Sequence, residues 1–434
     1  MKKCCFAGWI AVLSVFLLPL VAFAGGFAVN EQGAKATGMA NAFAAQADDP
    51  TAVYFNPAGI VQLEGTQVSI GTSFVYPQAK FQSSTPAASD PFGFRGTSEG
   101  DTTNMDDKVA VVPNAYLTQK INDHVSFGLG TFSNFGLETN WPNDWEGRFM
   151  VGGTKAELIT LSVNPVLAVK PHERVSLSVG PVMQYIDFDL RRKTFTGGAF
   201  GEPEAKFSGD DVDWGWNAAL MIWLPANFKF GASYRSQVGH SINGKLDFSP
   251  QVQAINLTNT TLHASIKTPA NAYLGLAWTH GPLTLEFDAQ WTDWSSWNEL
   301  APKFNKPVGP TNATGLVVEE DWHDAWGYRF GAQYAVNQYL DVRAGVAYDE
   351  SPIPRKSVSC RIPGGDRWIY AVGFGGHYQA FTADIAYQYV DAQSTKLGRE
   401  GEDPVYDAAA AGPLEGKFKD VDAHIFALNL SYTF

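Results

Sequence analysis

The chain has 434 residues, 13% of them aromatic, and a formal net charge of −13. An acidic balance of this size argues against nucleic acid as a partner and against a basic mode of binding to membrane surfaces. A soluble chain of this length would normally divide into several domains.

The first residues, 1–24, have the pattern of a secretory signal peptide. Its three parts are a positive start, an apolar centre and a small-residue cleavage site: Lys2 and Lys3, Ala7–Leu20, and Ala22–Ala24. Cys4 and Cys5 precede the apolar centre, so they leave with the signal. The mature chain then keeps only Cys360, which excludes an internal disulfide.

The next segment, 25–66, is rich in Ala and Gly and does not alternate like a strand. Asp49 precedes Pro50 and Asn56 precedes Pro57, and a side-chain acceptor followed by proline is typical of a helix N-terminus. We expect short helices from these two prolines and another near Gly33–Gln46. The alternative is a floppy periplasmic tail, although tails seldom carry this capping and apolar content.

From residue 67 to the end, apolar and polar residues alternate. The last strand places His424, Phe426, Leu428, Leu430, Tyr432 and Phe434 on one face. A strand from Leu283 sets an apolar face against Glu286 and Asp288, and a strand from Leu340 does the same with Arg343 on its polar face. Alternation with period two puts each set on one side of a pleated strand. Lipid can contact the apolar face, whereas charged groups must face a wet or protein-filled interior.

The joints between these strands alternate between short and long. The short joints are Lys120–Asp123, Lys170–Glu173, Pro225–Asn227, His280–Pro282, Val336–Gln338 and Tyr378–Ala380. The long joints are Phe81–Asp106, Gly136–Thr154, Lys193–Gly209, Gly244–Thr260, Asn298–Asp324, Ser351–Asp366 and Lys396–Phe418. Short turns on the periplasmic side and long loops outside are typical of an outer-membrane barrel.

The fold class predicted is therefore all-β: a 14-stranded antiparallel transmembrane β-barrel over residues 67–434, with both barrel ends on the periplasmic side. A bore this wide is not filled by its own side chains. Segment 25–66 is thus predicted to be a short-helical hatch inside the lumen, and its key residues are Asp49, Pro50, Tyr54, Phe55, Asn56, Pro57 and Ala58.

Several motifs resemble one known family. They are ADDPTAVYFNPAG (Ala47–Gly59), SNFGLETNWPNDWEGRF (Ser133–Phe149), SYRSQV (Ser233–Val238), QWTDWSSW (Gln290–Trp297), RAGVAYDESPIP (Arg343–Pro354) and IPGGDRWIYAVG (Ile362–Gly373). In this order they resemble the FadL/TodX family of outer-membrane transporters for hydrophobic compounds. The resemblance implies a hatched barrel of fourteen strands, capture of a lipophilic ligand by outer loops, and release sideways near the third strand.

Candidate ligand residues follow from chemistry and motif. Trp141, Trp145 and Phe149 crowd the second outer loop, and exposed aromatic clusters usually mark binding sites or membrane interfaces. A fatty acid would need a cationic partner for its desolvated carboxylate, and four arginines in matching motifs could supply it: Arg148, Arg235, Arg343 and Arg367. The alternative is that these arginines pair with acids inside the barrel.

Five residues are candidates for a lateral opening. Proline cannot donate to a strand ladder and glycine permits sharp bends. Pro113 and Pro165 flank a strand, Val125–Phe135, that carries Gly128 and Gly130 and leads to Gly136. Pro181 and Pro269 interrupt other strands too, so proline alone does not locate the opening.

The predicted function is uptake of hydrophobic compounds across the outer membrane of a Gram-negative bacterium. Long-chain fatty acids are the first choice of ligand. We expect no enzyme activity, cofactor or metal, because no helix-borne metal motif, phosphate loop or nucleophile elbow is present. The acidic run Glu319–Asp324 could bind a divalent ion, but an acidic outer loop is usually only solvated. Expected partners are the ligand, membrane lipid and lipopolysaccharide, with a monomeric barrel. The alternatives are an importer of aromatic or alkane hydrocarbons, a lipid-acting barrel enzyme and an open diffusion porin.

Overall fold

The structure is a computed structural model that describes residues 25–84, 99–397, 405–406 and 413–434. The predicted signal peptide lies outside these residues, as do parts of the first and last long loops. None of the helices in the described part of the chain is long or apolar enough to cross a membrane.

Fourteen antiparallel strands form the wall. They are β1 (Thr66–Ser83), β2 (Ala110–Asn122), β3 (Val125–Phe132 and Gly136–Asn140), β4 (Lys155–His172), β5 (Val175–Lys193), β6 (Glu204–Trp223), β7 (Phe228–Arg235 and Val238–Ser249), β8 (Thr260–Thr268 and Asn271–His280), β9 (Leu283–Thr292), β10 (Ala325–Asn337), β11 (Leu340–Asp349), β12 (Arg367–Tyr378), β13 (Phe381–Ala392) and β14 (Gly416–Thr433). β14 pairs with β1 from Thr433↔Gln67 to Gly416↔Ser83, which closes the barrel.

The predicted strand count, antiparallel pairing and closure are confirmed. All six short joints connect neighbouring strands at one end, and Phe434 donates its backbone N–H to Thr66 at that same end. Strand boundaries differ from the sequence prediction. β1 reaches Ser83 and β7 reaches Ser249, because each has a partner strand that continues equally far. The long loops also contain short strands: Thr102–Asn104, Glu299–Leu300, Lys303–Val308, Ala313–Gly315, Val318–Glu319, Thr395–Leu397, Val405–Tyr406 and Pro413–Leu414.

Side chains alternate across the wall as the sequence predicts. In β14, Phe426, Leu428 and Leu430 face outwards and are 40–57% exposed, while Ile425 and Asn429 face inwards and are buried. Burying apolar surface against lipid instead of water follows from the same transfer free energy that drives a soluble core inwards. The barrel is therefore inverted relative to a soluble protein, with its charged groups in the lumen.

Residues 25–65 fill the lumen. α1 (Ala34–Thr37), α2 (Ala52–Phe55) and a 3-10 helix (Pro57–Gln62) lie here, and nearly all of their side chains are buried. Asn56 caps the 3-10 helix by accepting a hydrogen bond from Ala58 N at 3.1 Å. The predicted hatch is thus confirmed. Other 3-10 turns lie outside it: Pro225–Asn227, Gln253–Ile255, Trp294–Ser296 and Arg355–Ser357.

Candidate functional site

Two carboxylates of β9 hold the middle of the hatch. Asp288 Oδ2 accepts hydrogen bonds from Phe43 N at 2.8 Å and Ala44 N at 2.9 Å. Glu286 accepts from Ala45 N at 2.6 Å and Gln46 N at 2.9 Å. Four consecutive amides, which would otherwise be buried without partners, are satisfied by the polar face of one wall strand.

Glycines on the inner wall let the hatch approach closely. A Cβ on Gly231 of β7 would lie 2.0 Å from Ala44 O, and a Cβ on Gly345 of β11 would lie 2.3 Å from Met39 C. Real Cβ atoms are not found at such distances, so these positions admit only glycine while the hatch is in place. The hatch backbone and the wall are therefore fitted to each other.

The start of the hatch pairs with an interruption in β3. Phe27 O accepts a hydrogen bond from Gly136 N at 2.9 Å, and Val29 N donates to Asn134 O at 3.0 Å. Ala28 and Phe135 between them form an antiparallel bridge. The hatch thus acts as a three-residue strand that satisfies backbone groups where β3 leaves its regular path.

The wall ladder is incomplete beside this interruption. Pairing between β2 and β3 runs from Asn122↔Val125 only as far as Ala115↔Thr131. Beyond it, residues 110–114 of β2 pair with β1 alone, and Gly136–Asn140 of β3 pair with β4 alone. A backbone hydrogen bond from Asp106 N to Asn140 O, at 2.8 Å, spans the gap at its outer end.

The predicted lateral-opening residues stand in different relations to this gap. Pro113 keeps register with Thr72 of β1 but has no ladder partner in β3, so it lies at the gap. Pro165 keeps register with Leu129 of β3 but has no ladder partner in β5. Gly128 and Gly130 make room for the hatch, since a Cβ on either would lie within 2.9 Å of Val53 of α2. Of the five candidates, Pro113 and Gly136 lie at the interruption between β2 and β3, one on each side.

An apolar cavity lies at the loop end of the barrel, next to the start of the hatch. About 500 Å³ of space between its walls is not occupied by protein atoms, part of it open to solvent. Its lining consists of Phe27, Leu137, Glu157, Leu158, Phe188, Leu190, Ile266, Trp297, Leu300, Trp322, Ser359, Arg361 and Ile362. Mostly apolar walls with a few polar groups are usual for small-molecule sites.

Phe27 is the point where hatch and cavity meet. Its ring packs edge-on against Trp294 at 4.6 Å and Trp297 at 5.0 Å between centroids, and lies 5.8 Å from Trp322. Phe27 is 2% exposed. The same residue therefore contributes a ring to the cavity wall and a carbonyl to the bond with the β3 interruption.

The predicted loop aromatics are buried instead of exposed. Trp141 and Trp145 stack at 4.6 Å, are each 2% exposed and pack beside Phe418, while Phe149 is 0% exposed. The inference from an exposed aromatic cluster therefore does not apply to them. Trp141 Nε1 donates to Cys360 O at 3.0 Å, so this cluster braces the loop between β11 and β12.

Two of the four predicted arginines are neutralised inside the barrel and its loops. Arg148 binds Glu202 through Nε and Nη2, at 2.7 and 2.6 Å. Arg343 donates to Asp384 at 2.6 Å and lies 3.2 Å from Asp341. Both Arg148 and Arg343 therefore pair with acids of the protein, which was the alternative to ligand binding.

The other two arginines lack a bonded carboxylate in the part of the chain that the structure describes. Arg235 stacks on Tyr54 and Phe132, at 4.9 and 4.8 Å, and donates to Tyr54 O at 3.2 Å. Arg367 is 1% exposed, and its Nε and Nη1 atoms have no hydrogen-bond partner among the described residues. Neither residue lines the apolar cavity.

Sequence reasoning did not select the residues that form the cavity. Phe27, Trp297, Trp322 and Arg361 come from three separate segments. The available signal was a set of tryptophans within the long loop after β9, of which Trp294 and Trp297 lie inside a quoted motif and Trp322 does not. Nothing local in the sequence indicates that these tryptophans contact Phe27, which lies about 270 residues earlier in the chain.

The acidic run 319–324 is part of a loop framework. Glu320 is 1% exposed and forms an ion pair with Arg361 at 2.7 Å, and Asp321 binds Lys356 at 2.5 Å. Within the described ranges, no group of three or more His, Cys, Asp and Glu side chains is placed to hold a metal ion.

Comparison with known proteins identifies the fold and the family. Residues 15–434 match the family model described as outer membrane protein transport protein (OMPP1/FadL/TodX). The chain is 26% identical to a long-chain fatty acid transport protein of Escherichia coli O6:H1, with all of both chains covered. It is 25% identical to a putative outer membrane protein, NMB0088, of Neisseria meningitidis, covering 95% of this chain and 94% of that one.

Solved structures with the same fold include a FadL homologue and a toluene transporter. A Pseudomonas aeruginosa FadL homologue superposes with a TM-score of 0.80 at 20% identity, covering 94% of this chain and 100% of that one. The Pseudomonas putida toluene transporter TodX gives 0.68 at 14% identity, with 95% and 99% covered. With the hatched barrel and the family match over nearly its whole length, the chain belongs to the OMPP1/FadL/TodX family of outer-membrane proteins that transport hydrophobic compounds.

Proposed function

We propose that this protein takes up long-chain fatty acids by capturing them in the outer cavity and releasing them sideways through the gap between β2 and β3. The observation that carries the proposal is the double role of the hatch start. Phe27 packs in the cavity wall, and its carbonyl is bonded to Gly136 at the β3 interruption. Occupancy of the cavity and closure of the gap therefore depend on the same residue.

The energies involved are compatible with ligand-driven opening. Releasing residues 27–29 breaks two backbone hydrogen bonds, worth about 1–3 kcal/mol together at about 0.5–1.5 kcal/mol each. Burying one methylene gains about 0.8 kcal/mol. At this value, burying about two to four methylenes offsets the cost of the two hydrogen bonds. No nucleotide is needed, because the ligand moves down its gradient.

The gap is a suitable exit for a lipophilic molecule. Since no ladder pairs join residues 110–114 to the outer part of β3, separating them breaks few strand–strand hydrogen bonds. Movement towards the periplasm along the axis would instead require the anchored hatch to leave its carboxylates and its fitted glycines. The sideways route has the lower cost.

Fatty acid is preferred over hydrocarbon because the cavity contains a guanidinium. Arg361, ion-paired with Glu320 at 2.7 Å, lines an otherwise largely apolar wall. Its guanidinium can donate a hydrogen bond to a carboxylate but has no acceptor on a hydrocarbon. The relative from Escherichia coli named for long-chain fatty acids supports the same class.

The test is uptake of radiolabelled oleate, toluene and hexadecane by a Gram-negative host that lacks its own long-chain fatty acid transporter. Cells that express this protein should take up oleate several-fold faster than cells with an empty vector, and toluene and hexadecane at the vector rate. Uptake of toluene or hexadecane without oleate would identify a hydrocarbon importer. Phospholipid hydrolysis without uptake of any of the three would replace transport with an enzyme.

A further inference from the structure

We infer that Arg361 binds the anionic end of the ligand, so that the outer cavity selects amphiphiles with a carboxylate over uncharged chains of the same length. This inference rests on the proposed function and adds the residue that recognises the ligand's head. Arg361 lies in the loop between β11 and β12 and is 9% exposed.

The guanidinium of Arg361 has unused hydrogen-bonding capacity inside a cavity. Its Nε is buried and has no partner among the described residues. Its ion pair with Glu320 involves Nη1, at 2.7 Å, and Glu320 Oε1 nevertheless has no well-directed hydrogen bond. A buried N–H without an acceptor is unfavourable, and an incoming carboxylate oxygen would relieve that cost.

The wall of the cavity around Arg361 is mostly apolar. Three polar residues line the cavity: Glu157, Ser359 and Arg361. The charge of Glu157 is balanced by Lys155 at 3.0 Å, so it does not compete for Arg361. A ligand carboxylate at Arg361 would have the Ser359 side chain as a neighbour, while its chain lies among Leu, Ile, Phe and Trp side chains.

The loops are built to hold the arginine stem in this position. Gly152 has φ +74°, and a Cβ there would lie 2.7 Å from Arg361 Cγ, so this glycine leaves room for the stem. The preceding residue, Cys360, is held by the hydrogen bond from Trp141 Nε1 to its carbonyl. The guanidinium is therefore pre-positioned, which lowers the entropy cost of binding an anion.

The other arginines considered above do not fit this role. None of the four arginines singled out from the sequence lines the apolar cavity: Arg148, Arg235, Arg343 and Arg367. Arg329, which borders a smaller cavity by Asp349, is bonded to that aspartate at 2.7 Å. Arg361 is the arginine in the described part of the chain that combines the apolar cavity with an unsatisfied donor.

The experiment compares oleate with methyl oleate, which has the same chain and no charge. Binding of each to the purified protein in one non-ionic detergent is measured by equilibrium dialysis. Arg361→Met keeps an unbranched side chain and removes the charge. It should weaken oleate binding at least tenfold and leave methyl oleate binding within twofold of the unaltered protein.

Two further variants control this result. Lys356→Met removes a cation from the same loop. The ion-pair partner of Lys356 is the exposed Asp321, so this variant should change the affinity for neither ligand. Because Arg361→Met leaves Glu320 buried without its cation, the double variant Arg361→Met with Glu320→Gln removes both charges. It should bind like Arg361→Met, and heat-modified gel mobility checks that both are folded.

The outcomes separate the two proposals. If the unaltered protein binds both ligands and Arg361→Met keeps its oleate affinity, or loses both ligands equally while folded, the role of Arg361 is wrong and the proposed function stands. If the unaltered protein binds neither ligand, the proposed function itself is wrong.

Discussion

Two interruptions of the barrel wall are filled by different means. Between β2 and β3, backbone groups of the hatch, 27–29, complete the hydrogen bonding of the wall. Between β6 and β7, residues 209–216 face residues 236–244 without ladder pairs, since pairing is present only at Glu204–Ser208 and at Asn217–Trp223.

The second interruption is closed by side chains of the wall itself. Asp211 Oδ2 accepts from Ser241 N at 3.0 Å, and Ser236 Oγ accepts from Trp216 N at 3.0 Å. These groups belong to the strands they join, whereas residues 27–29 belong to the hatch, which is not a strand of the wall. A missing ladder is therefore not by itself a gate, and we expect a gate only where the filler can detach from the wall.

The two interruptions are also connected. Gln184 of β5 donates to Asn134 Oδ1 at 3.1 Å, and its Oε1 lies 3.1 Å from His240 Nε2. His240 Nδ1 in turn lies 3.3 Å from Asp211 Oδ2. Experiments that alter one interruption must therefore monitor the other.

The largest expected effect comes from locking the first interruption shut. Ala28 and Phe135 form an antiparallel bridge whose neighbours carry the hydrogen bonds, a pairing with Cα atoms about 4.5 Å apart and within reach of a disulfide. The double variant Ala28→Cys with Phe135→Cys should lose nearly all oleate uptake when oxidised and regain it with a reductant. Each single cysteine variant is the control. Undiminished uptake in the oxidised double variant would show that residues 27–29 need not detach.

A second effect, on the hatch as a whole, is expected from Asp288→Ala. Two hydrogen bonds to a carboxylate, each worth about 1.5–3 kcal/mol, are lost and two buried amides are left without acceptors. The hatch should loosen, and entry of small polar antibiotics into cells should rise several-fold. Asp123→Ala, at an exposed short turn, should leave permeability unchanged. Tight barrels carrying Asp288→Ala would mean that the hatch is retained mainly by packing.

A smaller, pH-dependent effect is expected at Asp49 in the hatch. Desolvation by burial raises the pKa of Asp49 to about 6, above the ordinary aspartate pKa. The folded state therefore binds the proton more tightly than the unfolded chain does, so hatch stability is greater at low pH and falls as pH rises towards and through 6. Polar-solute leakage should be lower at pH 5 than at pH 7.5.

Asp49→Asn tests the origin of that dependence. In the unaltered protein Thr51 N donates to Asp49 Oδ1 at 2.8 Å. Asparagine retains an oxygen that can accept this hydrogen bond, but it does not titrate. The variant should show the low-pH leakage at both pH values. A pH dependence that persists in this variant would assign it to another group.

The smallest effect is expected at the second interruption. Asp211→Ala removes one acceptor from Ser241 N and should cost about 1 kcal/mol of barrel stability, measured by urea unfolding in detergent. Oleate uptake and polar leakage should stay as in the unaltered protein. A change in oleate uptake comparable with that of the cysteine lock would make this side of the wall a second gate and end the contrast between the two fillers.

The sequence by itself determined the barrel and its plug. Alternation of apolar and charged residues, as along β9 and β14, depends only on the period of a pleated strand and on which face meets lipid. Short and long joints counted the strands, and Asn56 before Pro57 predicted a helix start that depends on a local cap. Each of these signals lies within a few neighbouring residues.

Tertiary structure alone decided where the wall is interrupted and which residues form the cavity. Pro113 and Pro165 each have a ladder partner on one side and none on the other, and the sequence does not say which neighbouring strand stays paired. Arg343 and Arg361 look equally eligible in sequence, and each forms an ion pair with a buried acid, yet only Arg361 of the two lines the apolar cavity. The partners of a buried charge come from segments far apart in the chain, so their presence or absence is settled only when the barrel closes around the hatch.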